Sequence, residues 1–398
     1  MKTPDLETES QKHLRAAQRV VIKFGTSLVT ASGGDVSAER IGPLVDSIAA
    51  LKNAGRQVVL VSSGAVGLGA GRLGLHESRL KDVVVRQACA AVGQSLLMHA
   101  YEQLFRKHDV KIAQVLLTED DFTNFSRYTN LRRTMEKLLK LGVLPIINEN
   151  DTVSTAELEY DQNSAVSGRE CVFGDNDRLA ALVTSKLEAN ALILLTNVDG
   201  LFLRKPRNNR NGPNEKEAAP IPLVEEITDE LKANAEGPSV GGRGGMLTKL
   251  EAAQIAMQAG GVAVIANGTK TGILDRIFAG EQIGTTFMST SRMAGKRRWL
   301  TFAAGVRGRV IVNEGARAAI MGGKASLLSS GVVRVEQQFA PQDVVSIADC
   351  DGREFARGII NCTSEEMARL IKETSSKQMG ERGRVLVKRD NMVLSEQR

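Results

Sequence analysis

Val20-Val21-Ile22-Lys23-Phe24-Gly25-Thr26-Ser27 is the stretch on which the fold turns. Two Val and one Ile read as a short strand buried on both faces, and it runs into a lysine and a Gly-Thr-Ser turn. Ligands of α/β sheets sit beyond the carboxyl ends of parallel strands, and a glycine turn there leaves backbone N–H groups free to meet an anion. Lys23 is therefore a candidate phosphate ligand. Taken alone, the plainer reading is a strand-end lysine that snorkels into water, so the choice rests on what lies downstream.

Working outward, residues 1–18 read as a polar, helix-prone N-terminal extension with no assignable chemistry. After the Lys23 strand, Ile41, Leu44, Val45, Ile48 and Leu51 recur at helical spacing, and Gly55 stands where a C-cap glycine belongs. An apolar strand at 57–61 follows. It leads into Ser62-Ser63-Gly64-Ala65-Val66-Gly67-Leu68-Gly69-Ala70-Gly71, a glycine density that suits close backbone approach to a ligand. Gly69-x-Gly71-x-x-Gly74 formally matches a dinucleotide fingerprint, but it lies well past the strand end and is discounted; no Gly-x-x-x-x-Gly-Lys-Ser/Thr loop occurs.

The alternation continues with helices near 84–105, 131–139, from about 177, and 247–259. Strands fall between them at 112–117, 143–147, 192–195 and 262–266. Helices alternating with apolar strands predict a mainly parallel sheet sandwiched by helices, the first domain, over 19–290. Two polar stretches, 159–171 and 204–219, read as surface loops of the kind that often serve as lids. After a linker at 289–298 the apolar runs shorten and glycines recur, so 296–398 reads as a separate, mostly β domain.

Composition bounds the function classes. With 42% hydrophobic and 25% charged residues the 398-residue chain reads as globular, and no apolar run approaches the ~18 residues that span a bilayer. No secretory signal opens it, so the cytoplasm is the default. Cys89, Cys171, Cys350 and Cys362 are far apart and at no zinc-site spacing, so they read as packing cysteines and no metal site is expected from them. The net charge of +6 arises wholly after Ala294, where 18 basic face 12 acidic residues. An acidic partner for the tail and an ordinary solvated surface both fit that excess.

Polar clusters close four strands: Lys23-Phe24-Gly25-Thr26-Ser27, Ser62-Ser63-Gly64, Asn148-Glu149-Asn150-Asp151 and Thr196-Asn197-Val198-Asp199-Gly200. Two more open helices: Gly174-Asp175-Asn176-Asp177, and Gly241-Gly242-Arg243-Gly244-Gly245-Met246-Leu247-Thr248-Lys249. An Asp or Asn before a helix is usually a cap, and a glycine-rich helix start is a ready anion site. Six such clusters on one edge of one sheet are hard to explain as caps alone.

These segments, with Ala91-Val92-Gly93-Gln94, resemble in order and approximate spacing the glutamate 5-kinase family of the amino acid kinase superfamily. The resemblance covers nearly the whole chain. Leu327-Leu328-Ser329-Ser330-Gly331-Val332, Phe339, Asp343-Val344-Val345 and Arg357-Gly358 extend it into a tail similar to a PUA domain, a small β-barrel. It implies the amino acid kinase fold and ATP-dependent phosphorylation of the side-chain carboxylate of L-glutamate, the first step toward proline, with Mg²⁺. It further implies that Lys23 and Lys249 bind ATP phosphates and stabilise the transferring group while Asp177 orients both lysines. Ser63, Asp151 and Asn176 would hold glutamate. Thr196, Asn197, Arg243, Gly244, Gly245, Met246, Leu247, Thr248 and Lys249 would line the ATP site. A homo-oligomer is also implied, and RNA binding by the tail is a possible second activity.

The chemistry agrees with that implication. A glutamate carboxylate, with a pKa of about 4.3, is ionised at neutral pH, so its phosphorylation needs positioning and charge neutralisation, not a general base. A sibling activity on aspartate, acetylglutamate or carbamate is the nearest alternative; the Gly-Asp-Asn-Asp turn and the PUA-like tail argue against it. Three departures stand out. Residues 159–171 intervene where many relatives have a short link, Asn197 stands where many carry Asp, and Gln337 and Gln342 replace glycines usual in PUA turns. The last predicts altered turns and a weakened RNA contact.

Overall fold

A computed structural model describes residues 8–31, 34–118, 120–123, 125–153, 176–202, 219–235, 245–288, 300, 305–323, 325–376 and 383–394. The stretches 159–171 and 204–218, the linker 289–298, Gly174 and Asp175, and Gly241 to Gly244 with Arg243 lie outside them. The chain divides into two compact units, one of residues 1–118 and 132–293, the other of 119–131 and 294–398.

The first unit is built on an eight-stranded sheet of order β3-β4-β2-β1-β5-β7-β8-β6. Its strands are β1 (Arg19–Phe24), β2 (Gln57–Ser62), β3 (Ile112–Leu117), β4 (Leu144–Glu149), β5 (Ala191–Thr196), β6 (Leu223–Val224), β7 (Val262–Asn267) and β8 (Thr285–Phe287). All pairs are parallel except β7 with β8. The stretch that opens the sequence argument is thus the fourth strand across, and Val20, Val21, Ile22 and Phe24 are fully buried, as a strand covered on both faces requires. Parallel register aligns the strand ends. Phe24 pairs with Ser62 and with Leu195, and Thr196 pairs with Asn267, so the polar residues that follow β1, β2, β5 and β7 emerge along one edge. Edge strand β3 departs from the expectation of full burial, since Val115 and Leu116 are only half-buried.

Within the glycine run after β2, Gly69 serves a contact between two helices. Gly64, at φ 109°, starts the helix Ala65–Arg72, which lies against the long helix Val83–Arg106. A Cβ on Gly69 would sit 1.8 Å from the carbonyl oxygen of Cys89, and one on Gly93 would sit 1.8 Å from that of Ala65. Reciprocal glycines let two helix backbones touch, which no larger residue permits.

The N-terminal extension is also more than a solvated helix. The helix Glu9–Ala16 begins with a capping box between Thr8 and Gln11, and it buries Leu14. Arg56 donates to the carbonyls of Leu14 and Arg15 at its C-terminal end, and Arg15 donates to the carbonyl of Ala279 at 2.6 Å. Its single buried leucine is too weak a periodic signal to read from sequence.

The second unit carries a six-stranded sheet of order β10-β14-β13-β12-β9-β11. Here β9 is Val306–Val312, β10 Leu327–Leu328, β11 Val332–Glu336, β12 Val344–Ala348, β13 Glu354–Ile360 and β14 Val385–Leu394. Val310, Ile347, Phe339, Met367 and Leu386 form its own core. Gln337 (φ 69°) and Gln342 (φ 76°) keep the left-handed backbone that glycine would adopt freely.

Candidate active site

The carboxyl edge of the first sheet gathers most of the predicted residues. Lys23 is the penultimate residue of β1, Asp177 stands on the first turn of the helix Asn176–Leu187, and Lys249 on the first turn of the helix Met246–Gln258. Asp177 is fully buried, and its carboxylate lies between the two ammonium groups: Lys23 Nζ is 2.6 Å from Oδ1 and Lys249 Nζ is 2.9 Å from Oδ2. Thr248 Oγ1 reaches Oδ2 at 3.4 Å. Burial would raise the Asp177 pKa, but the charges and hydrogen bonds of Lys23 and Lys249 overcome it and hold the carboxyl well below its ordinary range. The three side chains together carry one net positive charge. A phosphoryl group would complete the neutralisation, and the helix starting at Met246, with Gly245 as its N-cap, adds its dipole.

Beside this cluster lies a network of amides and hydroxyls. Asn176 Nδ2 donates to Ser63 Oγ at 2.8 Å and to Asn148 Oδ1 at 3.0 Å, with the carbonyl of Ser62 at 3.4 Å. Asn148 Nδ2 donates to Gln94 Oε1 at 2.9 Å. Behind them Ser62 Oγ and the Tyr101 hydroxyl are 2.8 Å apart; burial raises the Tyr101 pKa, so the phenol keeps its proton. Asp151, just past β4, has its pKa pushed up to about 6 by burial. Among the described residues no cation pairs with it.

Thr196 and Asn197 close β5 on the same edge. Thr196 Oγ1 donates to Asn197 Oδ1 at 3.3 Å, and the Gly268 amide donates to the Thr196 carbonyl at 2.8 Å. Met246, Leu247 and Thr248 open the helix Met246–Gln258, while Arg243 and Gly244 lie outside the described residues. Sequence reasoning missed the turn after β7. There Asn267 Nδ2 donates to Asp199 Oδ1 at 2.9 Å and Lys270 Nζ stands 3.0 Å from the same oxygen, which lowers the Asp199 pKa. Asn267-Gly268-Thr269-Lys270 at the end of an apolar strand carried the same signal as the other clusters. It also left unassigned Asn148, which was quoted only within a motif, and Gln94.

The Amino acid kinase family matches residues 18–267, and the PUA domain matches residues 308–379. The chain belongs to the amino acid kinase family. Curated relatives include the glutamate 5-kinase of Caldanaerobacter subterraneus subsp. tengcongensis, 44% identical over 88% of this chain and 90% of its own length. The glutamate 5-kinase of Moorella thermoacetica is 42% identical over 98% of this chain and 99% of its own. That of Methylococcus capsulatus is 40% identical over 97% of this chain and its whole length. The match of residues 308–379 accounts for the separate β unit.

Proposed function

We propose that this chain is a glutamate 5-kinase, which transfers the γ-phosphoryl group of ATP to the side-chain carboxylate of L-glutamate and releases an acyl phosphate. The observation that carries the reading is Asp177 buried between Lys23 and Lys249, in a chain whose full-length relatives carry that name. The acceptor is already an anion, so the task is to bring two negative groups together. Lys23 and Lys249 neutralise charge that spreads over the phosphoryl oxygens in the transition state, and Asp177 fixes the two ammonium groups before the reaction begins. Ser63 and Asn176 hold the glutamate, and Asp151 pairs with its α-ammonium. Thr196, Asn197 and the segment from Arg243 to Lys249 receive the nucleotide.

Mg²⁺ fits as a companion of the nucleotide and not as a resident ion. Among the described residues no three His, Cys, Asp or Glu side chains gather as a metal site, and Asp177 is engaged by both lysines. Phosphate oxygens and water would supply its ligands. The product would then enter the route to proline at its first step.

Hydroxylamine tests the reading, because it captures an acyl phosphate as a hydroxamate. With glutamate, ATP and Mg²⁺, hydroxamate is expected to form in step with ADP. Aspartate, shorter by one methylene, would place its carboxylate about 1.3 Å too far back and react poorly, because a misplacement of that size costs about 100-fold. ADP release without hydroxamate, or equal rates with aspartate, would overturn the assignment.

A further inference from the structure

The segment Ala91-Val92-Gly93-Gln94 belongs to the family resemblance, yet no role attaches to it. Gly93 explains its own presence by letting the helix Val83–Arg106 touch the backbone at Ala65. Gln94, next to that contact, and Tyr101, two turns on along the same face, hydrogen-bond to Asn148 and Ser62 beside the proposed glutamate site.

The donors and acceptors along this wall run in one direction. A carboxamide has a donor end and an acceptor end, and it cannot present both to one partner. Gln94 Oε1 accepts from Asn148 Nδ2, which turns Asn148 Oδ1 toward Asn176. Asn176 in turn commits its Nδ2 to Asn148 and Ser63, with a longer contact to the Ser62 carbonyl, and its Oδ1 has no partner among the described residues. Asn148 is 3% exposed, so water cannot easily rescue a reversed amide there. If Asn148 turned over, its NH₂ would oppose that of Asn176, and Asn176 would be driven to turn as well.

We propose that Gln94 is a positioning residue. Through Asn148 it sets the direction of the Asn176 carboxamide, so that an acceptor is left for the α-ammonium of the substrate. A reversed Asn176 would offer that ammonium N–H groups instead. The inference rests on the glutamate reading above.

The test is a set of three substitutions at one position. Gln94→Glu keeps an acceptor for Asn148, Gln94→Met fills the same volume without the amide, and Gln94→Lys offers only donors. The KM for glutamate is expected to stay within about threefold of wild type in Gln94→Glu and to rise about tenfold in Gln94→Met, the worth of one hydrogen bond. It should rise further in Gln94→Lys. The KM for ATP and kcat should stay within about twofold throughout, because the lysine cluster is untouched. Should Gln94→Met fail to fold, the Glu and Lys variants still oppose each other, since both give Asn148 a polar partner. Equal KM values in all variants, or a parallel loss of ATP affinity and melting temperature, would overturn the proposal. A wild-type protein that forms hydroxamate alongside variants with unchanged KM defeats this inference alone; a wild type that forms none defeats the activity reading first.

Discussion

The helix Asn176–Leu187 buries a charge near each end, and the two ends handle it differently. At its start Asp177 lies between Lys23 and Lys249, so a buried anion has two cations in contact. At its finish Lys186, only 7% exposed, has its pKa pushed down to about 7, first by burial and then by the charge of Arg132, with Glu136 opposing. Arg132 itself pairs with Glu136 at 2.8 Å. Desolvation is the largest influence on Lys186, and Coulomb attraction wins at Asp177, where two opposite charges are in contact.

The comparison breaks most visibly at Lys249. Lys249→Ala leaves Asp177 with Lys23 and removes the excess charge that a phosphoryl group would meet. Turnover is expected to fall by about 10²–10³-fold, the usual loss for one transition-state contact, while the KM for glutamate changes little. Hydroxamate formation over a range of glutamate concentrations measures both. Near-normal turnover would mean that the net charge of the cluster is irrelevant to catalysis.

Asp151 sharpens the contrast from the same edge of the sheet, because it is a half-buried carboxylate with no lysine paired to it among the described residues. Its pKa of about 6 means that below pH 6 the group is mostly protonated and cannot pair with an ammonium. The kcat/KM for glutamate should therefore fall about tenfold per pH unit below that point, and ATP affinity should not follow it. Asp151→Asn should abolish this limb of the profile and keep glutamate binding weak at pH 7.5. A limb that persists in the variant would assign the titration to another group.

Much of this site was legible because parallel strands bring their ends to one edge, so an apolar run closing on Lys23, Ser63, Asn148 or Thr196 announces a position in space. What lay hidden depends on partners distant in sequence. Gln94 and Asn148 are bonded across 54 positions, and nothing local at either residue names the other. The glycines around Gly69 were readable as a demand for close approach, but sequence does not say whether a ligand or a helix approaches. Gln337 and Gln342 show the reverse, since tertiary packing holds a left-handed turn without the residue that prefers it. Lys186 carried no signal at all, because a lysine in the last turn of a helix normally suits the dipole and reaches water.

The smallest expected effect lies at that residue and concerns stability. The unfolded chain holds the Lys186 proton up to about pH 10.4, whereas the folded chain releases it above about pH 7. Between those values the unfolded state binds more protons, so this group makes stability rise with pH, and below pH 7 the folded state bears the whole cost of a buried cation. Lys186→Met keeps the apolar stem and removes the charge. Its melting temperature should exceed that of wild type at pH 6, by about 2 °C for each kcal/mol relieved, and the gap should close as the pH approaches 10. Thermal unfolding at several pH values measures this directly. A variant less stable than wild type at pH 6 would show that the interactions of the charged Lys186 outweigh the cost of its burial.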